Sequence, residues 1–502
     1  MSREQEQNDG VTGRRLIFIF AALLLAMFVS SLSETIAATA LPTIVGDLGG
    51  VEIMQWVTTT YIMASTITMP LYGRLGDTAG RKKLLVFALV VYTVGKVVCA
   101  ISPNMMVLLA GRLISGFGGG GLIILSQAAI ADVVPARKRG VYLGIMGSVF
   151  TISNVIGPLL GGWLVQTLGW RWIFWFTVPL ATLALVVLVV FFQDPRGSHK
   201  ISNFDWRGAS CMSVAVIALV LAVSWGGNQF AWLSWQILGL FALAVVFAFF
   251  FVLVERKAKE AIIPMSLFHN RNFVLCSVAG MLVFIALMGT MTYLPTYFQI
   301  ADKMSPELAG MVMAPGSIGV FITSTGTGWL AGKTGKYKWM PLAMSVVCAV
   351  GFLLMANIKV GEPIALSMLY LFVMGFGMGL GSQILVLVVQ NEFPQSMVGT
   401  ATAANNFFKQ IGSTVGASLV GTLFTARLTA DLAGKLPAVD NITLATITPQ
   451  EVAKLPAALQ ATIATGYSDA LMPLFVCFVP LMIVTFVLMI FLIEHPLSKS
   501  VK

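Results

Sequence analysis

The sequence predicts an all-α polytopic membrane protein of fourteen transmembrane helices, ordered as six, two and six. Three observations predict it. Of 502 residues, 57% are hydrophobic and only 10% charged, with a mean hydropathy of +0.88, a composition suited to lipid and not to water. The charges fall in short clusters between uncharged runs, and about 20 helical residues suffice to cross a hydrocarbon core about 30 Å thick. Two glycine-bearing blocks recur at one fixed shift, so two parts of the chain share a plan. A strand-built barrel would need segments of about 10 alternating residues, which the sequence lacks.

The charge-free runs fall at 16–33, 53–73, 113–131, 140–170, 172–193, 272–301, 308–332, 339–358, 363–391, 410–426 and 470–493. A third span lies around Lys96, and the run at 208–254 is long enough for two helices, with Trp225-Gly226-Gly227-Asn228 supplying the turn between them. The long outer loop 426–468 is polar, carries Pro437, Pro449 and Pro456, and has room for short helices.

Net charge is +10, yet the basic residues sit between spans, which makes them topology signals and not a nucleic-acid surface. With the amino terminus cytoplasmic, 22 of the 31 Lys and Arg residues face the cytoplasm, six face outward, and Lys96, Arg112 and Lys409 lie within spans. Both termini are then cytoplasmic, in a multi-pass protein of a plasma membrane, the inner or cell membrane of a bacterium. The first apolar run follows Arg14-Arg15 without a small-residue cleavage site and reads as a retained helix. Cys99, Cys211, Cys276, Cys348 and Cys477 lie in apolar stretches with no C-x-x-C pair, so neither a disulfide framework nor a metal site is expected.

Gly73-Arg74-Leu75-Gly76-Asp77-Thr78-Ala79-Gly80-Arg81 recurs, shifted by 255 residues, as Gly328-Trp329-Leu330-Ala331-Gly332-Lys333-Thr334-Gly335-Lys336. The same shift carries Gly144, Gly157 and Gly161 onto Gly399, Gly412 and Gly416. A shift of 259 carries Gly116-Phe117-Gly118 onto Gly375-Phe376-Gly377. Residues 1–192 therefore form an amino-terminal six-helix bundle, 193–271 a cytoplasmic linker with inserted helices seven and eight, and 272–502 a second six-helix bundle. Such paired bundles are a usual scaffold for a midplane cavity that opens alternately to either side.

In the loop between spans two and three, Gly73 and Gly80 permit close approach and tight turning. Asp77 can pair with a base such as Arg81 or cap a helix amino terminus, a contact able to latch one conformation. In span five, Gly144, Ser153, Gly157, Pro158, Gly161 and Gly162 make a smooth face with a kink, expected to seal the two halves against each other.

These segments resemble the major facilitator superfamily. The loop looks like its signature, and the span-five pattern looks like the one associated with its drug:proton antiporters. Glu34-Thr35 through Ala40-Leu41-Pro42, Arg112, and Trp170-Arg171-Trp172-Ile173-Phe174 extend the likeness to the fourteen-helix antiporter branch over nearly the whole chain. Ser153, Ser115 and Glu34 depart from a glycine, a glutamine and an aspartate common there. The resemblance implies a major-facilitator-type fold and proton-coupled efflux of amphipathic or hydrophobic, cationic drugs, with multidrug and antibiotic resistance as the outcome. A dedicated cargo such as a lipid, fatty acid, amino acid or siderophore is the alternative.

Charges inside a membrane are costly and default to functional roles. Glu34 is a proton or cation site, or else a solvated carboxylate near the outer interface. Arg112 assists proton relay or snorkels. Lys96 and Lys409 neutralise a buried acid, favour anionic substrates, or snorkel. Asp77, Pro158 and Arg112 have no counterpart in the second half, so the first bundle is expected to carry ion coupling and the second to contribute more to cargo. Gln55, Tyr61, Tyr297, Gln299, Gln383 and Asn405, with Lys96 and Lys409, are the candidate cargo contacts. No enzyme is expected: His199, His269 and His495 sit at or beyond span ends without a nucleophile or ligand pattern. Nor is an ATP motor, because Gly328–Thr334 is one residue short of a phosphate loop. The expected partners are small amphipaths, protons and the bilayer, without cofactor or nucleic acid, and the expected state is a monomer.

Overall fold

The computed structural model describes residues 13–50, 53–193, 204–227, 229–432, 452 and 455–497. Its long helices are α1 (Arg14–Leu48), α2 (Trp56–Ala79), α3 (Arg81–Ala100), α4 (Met105–Val133), α5 (Ala136–Thr167), α6 (Trp172–Phe191), α7 (Trp206–Trp225), α8 (Trp235–Glu255), α9 (Arg271–Ala301), α10 (Pro306–Thr334), α11 (Trp339–Met355), α12 (Ile364–Glu392), α13 (Val398–Leu432) and α14 (Ala457–Ile490). Eleven are long and apolar enough to cross a membrane. The remaining three are α11, apolar but only 17 residues long, and α2 and α13, whose faces carry many threonines, serines and amides.

Local chemistry sets the boundaries. The Asn104 side chain accepts the Val107 N–H at 3.0 Å to start α4, Asn270 does the same for Phe273 at 2.9 Å at the head of α9, and Ser305 followed by Pro306 opens α10. Gly80, at φ 96°, turns α2 directly into α3, and Gly335, at φ 73°, ends α10 in the left-handed conformation. Several helices outrun their charge-free sequence runs: α13 spans 398–432 against 410–426, and α14 begins at 457 instead of 470. A helix continues through polar residues wherever they face protein or water, and the absence of charge marks only its apolar stretch. The expected short helices of the outer loop fall mainly on residues outside those described.

The 255-residue repeat is an architectural repeat. A Cβ on Gly73 of α2 would meet Ala403 and the Gly399 carbonyl of α13; one on its counterpart, Gly328 of α10, would overlap the Gly140 carbonyl of α5. Helices α2 and α10 are repeat partners, as are α5 and α13, so the crossings α2–α13 and α10–α5 are one contact built twice. The second shift behaves alike: Gly116 lies against α2 and Gly118 against α3, while Gly375 lies against α10 and Gly377 against α11. Among the helices α1 to α6 and α9 to α14, these crossings, with α5–α12 and α4–α13, join the two halves, whereas α1 and α9 pack mainly within their own. The inserted pair α7–α8 lies beside the α2–α13 crossing, where Ser418 donates to the Val223 carbonyl and Trp232 Nε1 donates to Thr422 Oγ1 at 3.1 Å.

One expectation changes here. The span-five glycines do not form a single seal between halves. Gly140, Gly144 and Gly147 face α10 and α12 across the interface, but Gly157 and Gly161 face Thr35, Ile36 and Thr39 of α1, inside the same bundle. Their counterparts Gly412 and Gly416 likewise face α9. The reason is geometric: a helix of 32 residues, about 48 Å long at 1.5 Å per residue, crosses its neighbours at an angle and changes partner along its length. A methyl group on Gly162 would have no atom within 4 Å, so this residue packs against neither.

Candidate functional site

Two polar assemblies among the described residues hold predicted site residues. The first closes the halves at the face where α1 begins, here termed the basic face. Asp77, near the end of α2, accepts the Gly399 N–H at 3.0 Å, the Thr400 N–H at 2.7 Å and the Thr400 hydroxyl at 2.8 Å. It therefore caps α13 of the other half, where the helix dipole favours a carboxylate. Arg81, fully buried, holds Asp77 at 2.8 Å and Asp132 at 2.7 Å, and donates to the Ala128 carbonyl. Gln395 then donates to Asp132 at 2.6 Å, and Asn406 to Gln127 Oε1 at 2.9 Å, each from the opposite half.

At the repeat-related crossing, Arg137 donates to the carbonyls of Gly332 at 2.7 Å and Lys333 at 3.1 Å, in the last turn of α10. A guanidinium on a helix carboxyl end here does what a carboxylate on a helix amino end does at the first crossing.

The second assembly lies inside the amino-terminal bundle. Arg112 of α4 is fully buried; its Nε donates to the Val57 carbonyl at 2.7 Å, and its Nη1 to Ser33 Oγ at 3.0 Å and Ser33 O at 3.1 Å. Lys96 of α3, also fully buried, donates to the same Ser33 hydroxyl. Its Nζ lies 5.1, 5.4 and 5.7 Å from the ring centres of Tyr92, Phe174 and Tyr61, a box of aromatic faces suited to an ammonium. Tyr61 stacks under the Arg112 guanidinium at 4.5 Å and is fixed by Ser30, which in turn donates to the Gly119 carbonyl at 3.0 Å. Glu34 adjoins Ser33 on α1; it is partly exposed and makes no hydrogen bond or ion pair among the described residues. Arg112 Nη2 is buried without a hydrogen-bond partner among them.

The structure thus gathers Glu34, Tyr61, Lys96 and Arg112 and disperses the other candidates. Gln55 is exposed at the head of α2, away from the midplane position expected of it. Tyr297 is buried among Phe298 and Tyr467, and Gln299 bonds back to the Pro295 carbonyl of its own helix. Gln383 lies against Gly147 across the interface. Asn405 bonds Ser277 at 3.2 Å inside the second bundle, near Lys409, whose stem packs on Gly280 and whose Nζ reaches the Ser382 carbonyl at 3.4 Å. Of the Trp170-Arg171-Trp172 run, Trp170 and Arg171 hold Asp47 at 2.9 and 2.8 Å, at the face opposite the basic one. Sequence reasoning missed Ser33, Tyr92 and Asp132. Asp132 alone left a signal, being the acid that ends an otherwise long charge-free run.

Two helical bundles built on one repeat, joined by helix-end contacts at one face and holding charges deep in both halves, define a polytopic membrane transporter. The chain belongs to the Major Facilitator Superfamily, whose family model matches residues 23–213 and 206–417. An uncharacterized MFS-type transporter of Mycobacterium tuberculosis (strain H37Rv) is 38% identical over 96% of this chain and 70% of its own length. The multidrug transporter protein MdtP of Bacillus subtilis is 36% identical over 93% of this chain and 85% of its own. Among solved structures, the human organic anion transporter MFSD10 (TM-score 0.65, 14% identity, 95% of this chain and 100% of that one) and the proton:xylose symporter XylE (TM-score 0.62, 13% identity, 95% and 96%) share the fold.

Proposed function

We propose that this protein exports amphipathic or hydrophobic compounds across the plasma membrane in exchange for protons, by alternating access, as a monomer with fourteen spans and both termini cytoplasmic. The observation that carries the reading is the position of Glu34. It is a partly exposed carboxylate beside a buried guanidinium, in a bundle that is closed to its partner at the basic face while α1 and α9 stay in their own halves. A partly exposed acid can take up and release a proton, and its charge changes how strongly Arg112 is neutralised. The names of relatives such as MdtP support export of drugs. Transfer of one charge through 100 mV releases about 2.3 kcal/mol, and at about 1.4 kcal/mol per tenfold step this sustains roughly a 50-fold gradient without nucleotide hydrolysis. A purely cationic cargo would be repelled by the charges of Lys96 and Arg112 and attracted only by Glu34, and the two bases outnumber the one acid.

The test is gradient-driven dye flux in proteoliposomes. Glu34→Gln removes the titrating group at nearly constant volume and is expected to abolish flux driven by an imposed pH difference while leaving the detergent-solubilised protein monodisperse. Full coupled flux in this variant would remove Glu34 from the mechanism.

A further inference from the structure

Lys96 and Arg112 converge on one hydroxyl. A serine oxygen has two acceptor lone pairs, and both are taken by cationic donors from different helices. Two like charges held on one atom repel, and burial removes the water that would screen them. The three ring faces around Lys96 offset part of that cost. What remains points to a missing anion, and so does the buried Arg112 Nη2 that lacks an acceptor among the described residues.

The surroundings supply one carboxylate, and it is hydrogen-bonded to neither base among the described residues. From α2 comes Tyr61, from α3 Tyr92 and Cys99, and α4 brings Arg112 itself; the tyrosines and the thiol are uncharged near neutral pH at their ordinary values. From α1 comes Glu34, the one carboxylate acting on Arg112 among the described residues. No charged side chain of α5 or α6 acts on Glu34 among those residues. Glu34 makes no hydrogen bond or ion pair among them either, so the acid and the guanidinium each retain capacity for an outside partner of opposite charge.

We infer that the site selects zwitterionic amphipaths, whose anionic group is taken by Arg112 and whose cationic group is taken by Glu34. The inference rests on the export reading above and names its substrate class. One small molecule can reach both groups, because Glu34 and Arg112 lie close enough to act on each other electrostatically. The three charges then have distinct tasks. Arg112 meets the anion, because it carries the unpaired donor. Lys96, sealed in its ring box, is a positioning residue: it occupies one lone pair of Ser33 and adds positive potential without touching cargo. Glu34 meets the cation, being the more exposed of the two groups. A proton on Glu34 removes the partner of the cargo's cation, so proton and cargo compete for one carboxylate, which is sufficient for exchange. The anionic group is what lets such a cargo enter beside two buried bases that would repel a plain cation.

Rhodamine 110 and rhodamine 123 separate the two contributions. They share one xanthene cation and differ at a single group, a free carboxylate in the first and its methyl ester in the second. Each is to be titrated by fluorescence polarisation onto the full chain in nanodiscs between pH 5.5 and 8. Rhodamine 110 is expected to bind at least tenfold more tightly than rhodamine 123 at pH 8, and both are expected to weaken as pH falls. In Glu34→Gln the pH dependence should vanish while the preference for rhodamine 110 remains. In Lys96→Met the preference should shrink because rhodamine 123 binds more tightly than it does to the unmodified protein, a gain that misfolding cannot produce. Binding of rhodamine 123 equal to or tighter than that of rhodamine 110, or a preference unchanged in Lys96→Met, would overturn the inference. Absence of pH-driven flux of either dye in proteoliposomes would overturn the export reading instead, whatever the binding preference.

Discussion

Replacing Asp77 by Asn should open the basic face, and the size of the effect can be worked from its contacts. Three hydrogen bonds from Gly399 and Thr400 cross between halves to the Asp77 carboxylate. A hydrogen bond to a charged group contributes about 1.5–3 kcal/mol, and the carboxylate gains up to about 2 kcal/mol more from the α13 amino terminus in a buried setting. Asparagine keeps one acceptor oxygen, but turns an amide with two donors toward N–H groups and toward Arg81. Arg81 retains Asp132 at 2.7 Å, so its own burial is still compensated and the bundle should remain folded. Losing one to two of the crossing bonds and the charge therefore costs the closed arrangement about 3 kcal/mol, roughly a 100-fold change in a two-state equilibrium. A population of 99 to 1 in favour of closure would become nearly even.

Lys83 and Ser396 are exposed at the basic face on opposite halves. Spin labels on cysteines placed there, with Cys99, Cys211, Cys276, Cys348 and Cys477 replaced, would report the separation by double electron–electron resonance. The expected result for Asp77→Asn is a second, longer distance holding about half the population. A distribution unchanged from the parent would show that the capping contacts do not hold the halves together, and the latch assignment would have to be abandoned.

Gly328→Ala tests the other crossing. Its new methyl would overlap the Gly140 carbonyl, too close for backbone to accommodate without separating α5 from α10, so the same label pair should again lengthen; unchanged distances would mean that the crossing is compliant. Lys409→Met keeps the stem that packs on Gly280 and removes a buried charge whose hydrogen bond is long, 3.4 Å. Removal of a poorly compensated buried charge is expected to leave the melting midpoint unchanged or raise it by a few degrees, and a fall in the midpoint by fluorimetry would show that the Ser382 contact matters more than its length suggests.

What the sequence made legible followed from cost. Glu34, Lys96, Arg112 and Lys409 stood out because a charge within an apolar run is expensive, and the glycines stood out because they recur at one shift. Ser33, which joins the two bases, was invisible, since a serine in a membrane helix costs little and its neighbours decide its use. The box around Lys96 was equally invisible. Its rings come from α2, α3 and α6, separated in sequence by 31 residues between Tyr61 and Tyr92 and by 82 between Tyr92 and Phe174, and only the folded bundle brings them to one nitrogen. Glycines signal close packing but not against what, so the sequence alone does not tell that Gly157 and Gly161 pack on α1.

The repeat's one conspicuous failure, Asp77 aligned with Gly332, has a physical explanation in these crossings. At Gly332 a Cβ would overlap the Arg137 carbonyl, so no acid fits there. The space taken from the side chain is used by the backbone, and Arg137 reaches over from α5 to bond the carboxyl end of α10. Both crossings are therefore closed by a charge on a helix end, of opposite sign and on opposite ends. The substitution of glycine for aspartate is not decay of the motif in the second half but the condition for the complementary contact. It follows that inserting the missing acid, Gly332→Asp, should not restore a symmetric latch: it should break the existing one. The carboxylate would collide with the Arg137 carbonyl and sit against the negative end of the α10 dipole, both unfavourable. The paired spin labels should then lengthen as they do for Asp77→Asn, and a distance distribution matching the parent would show that Arg137 does not close this crossing.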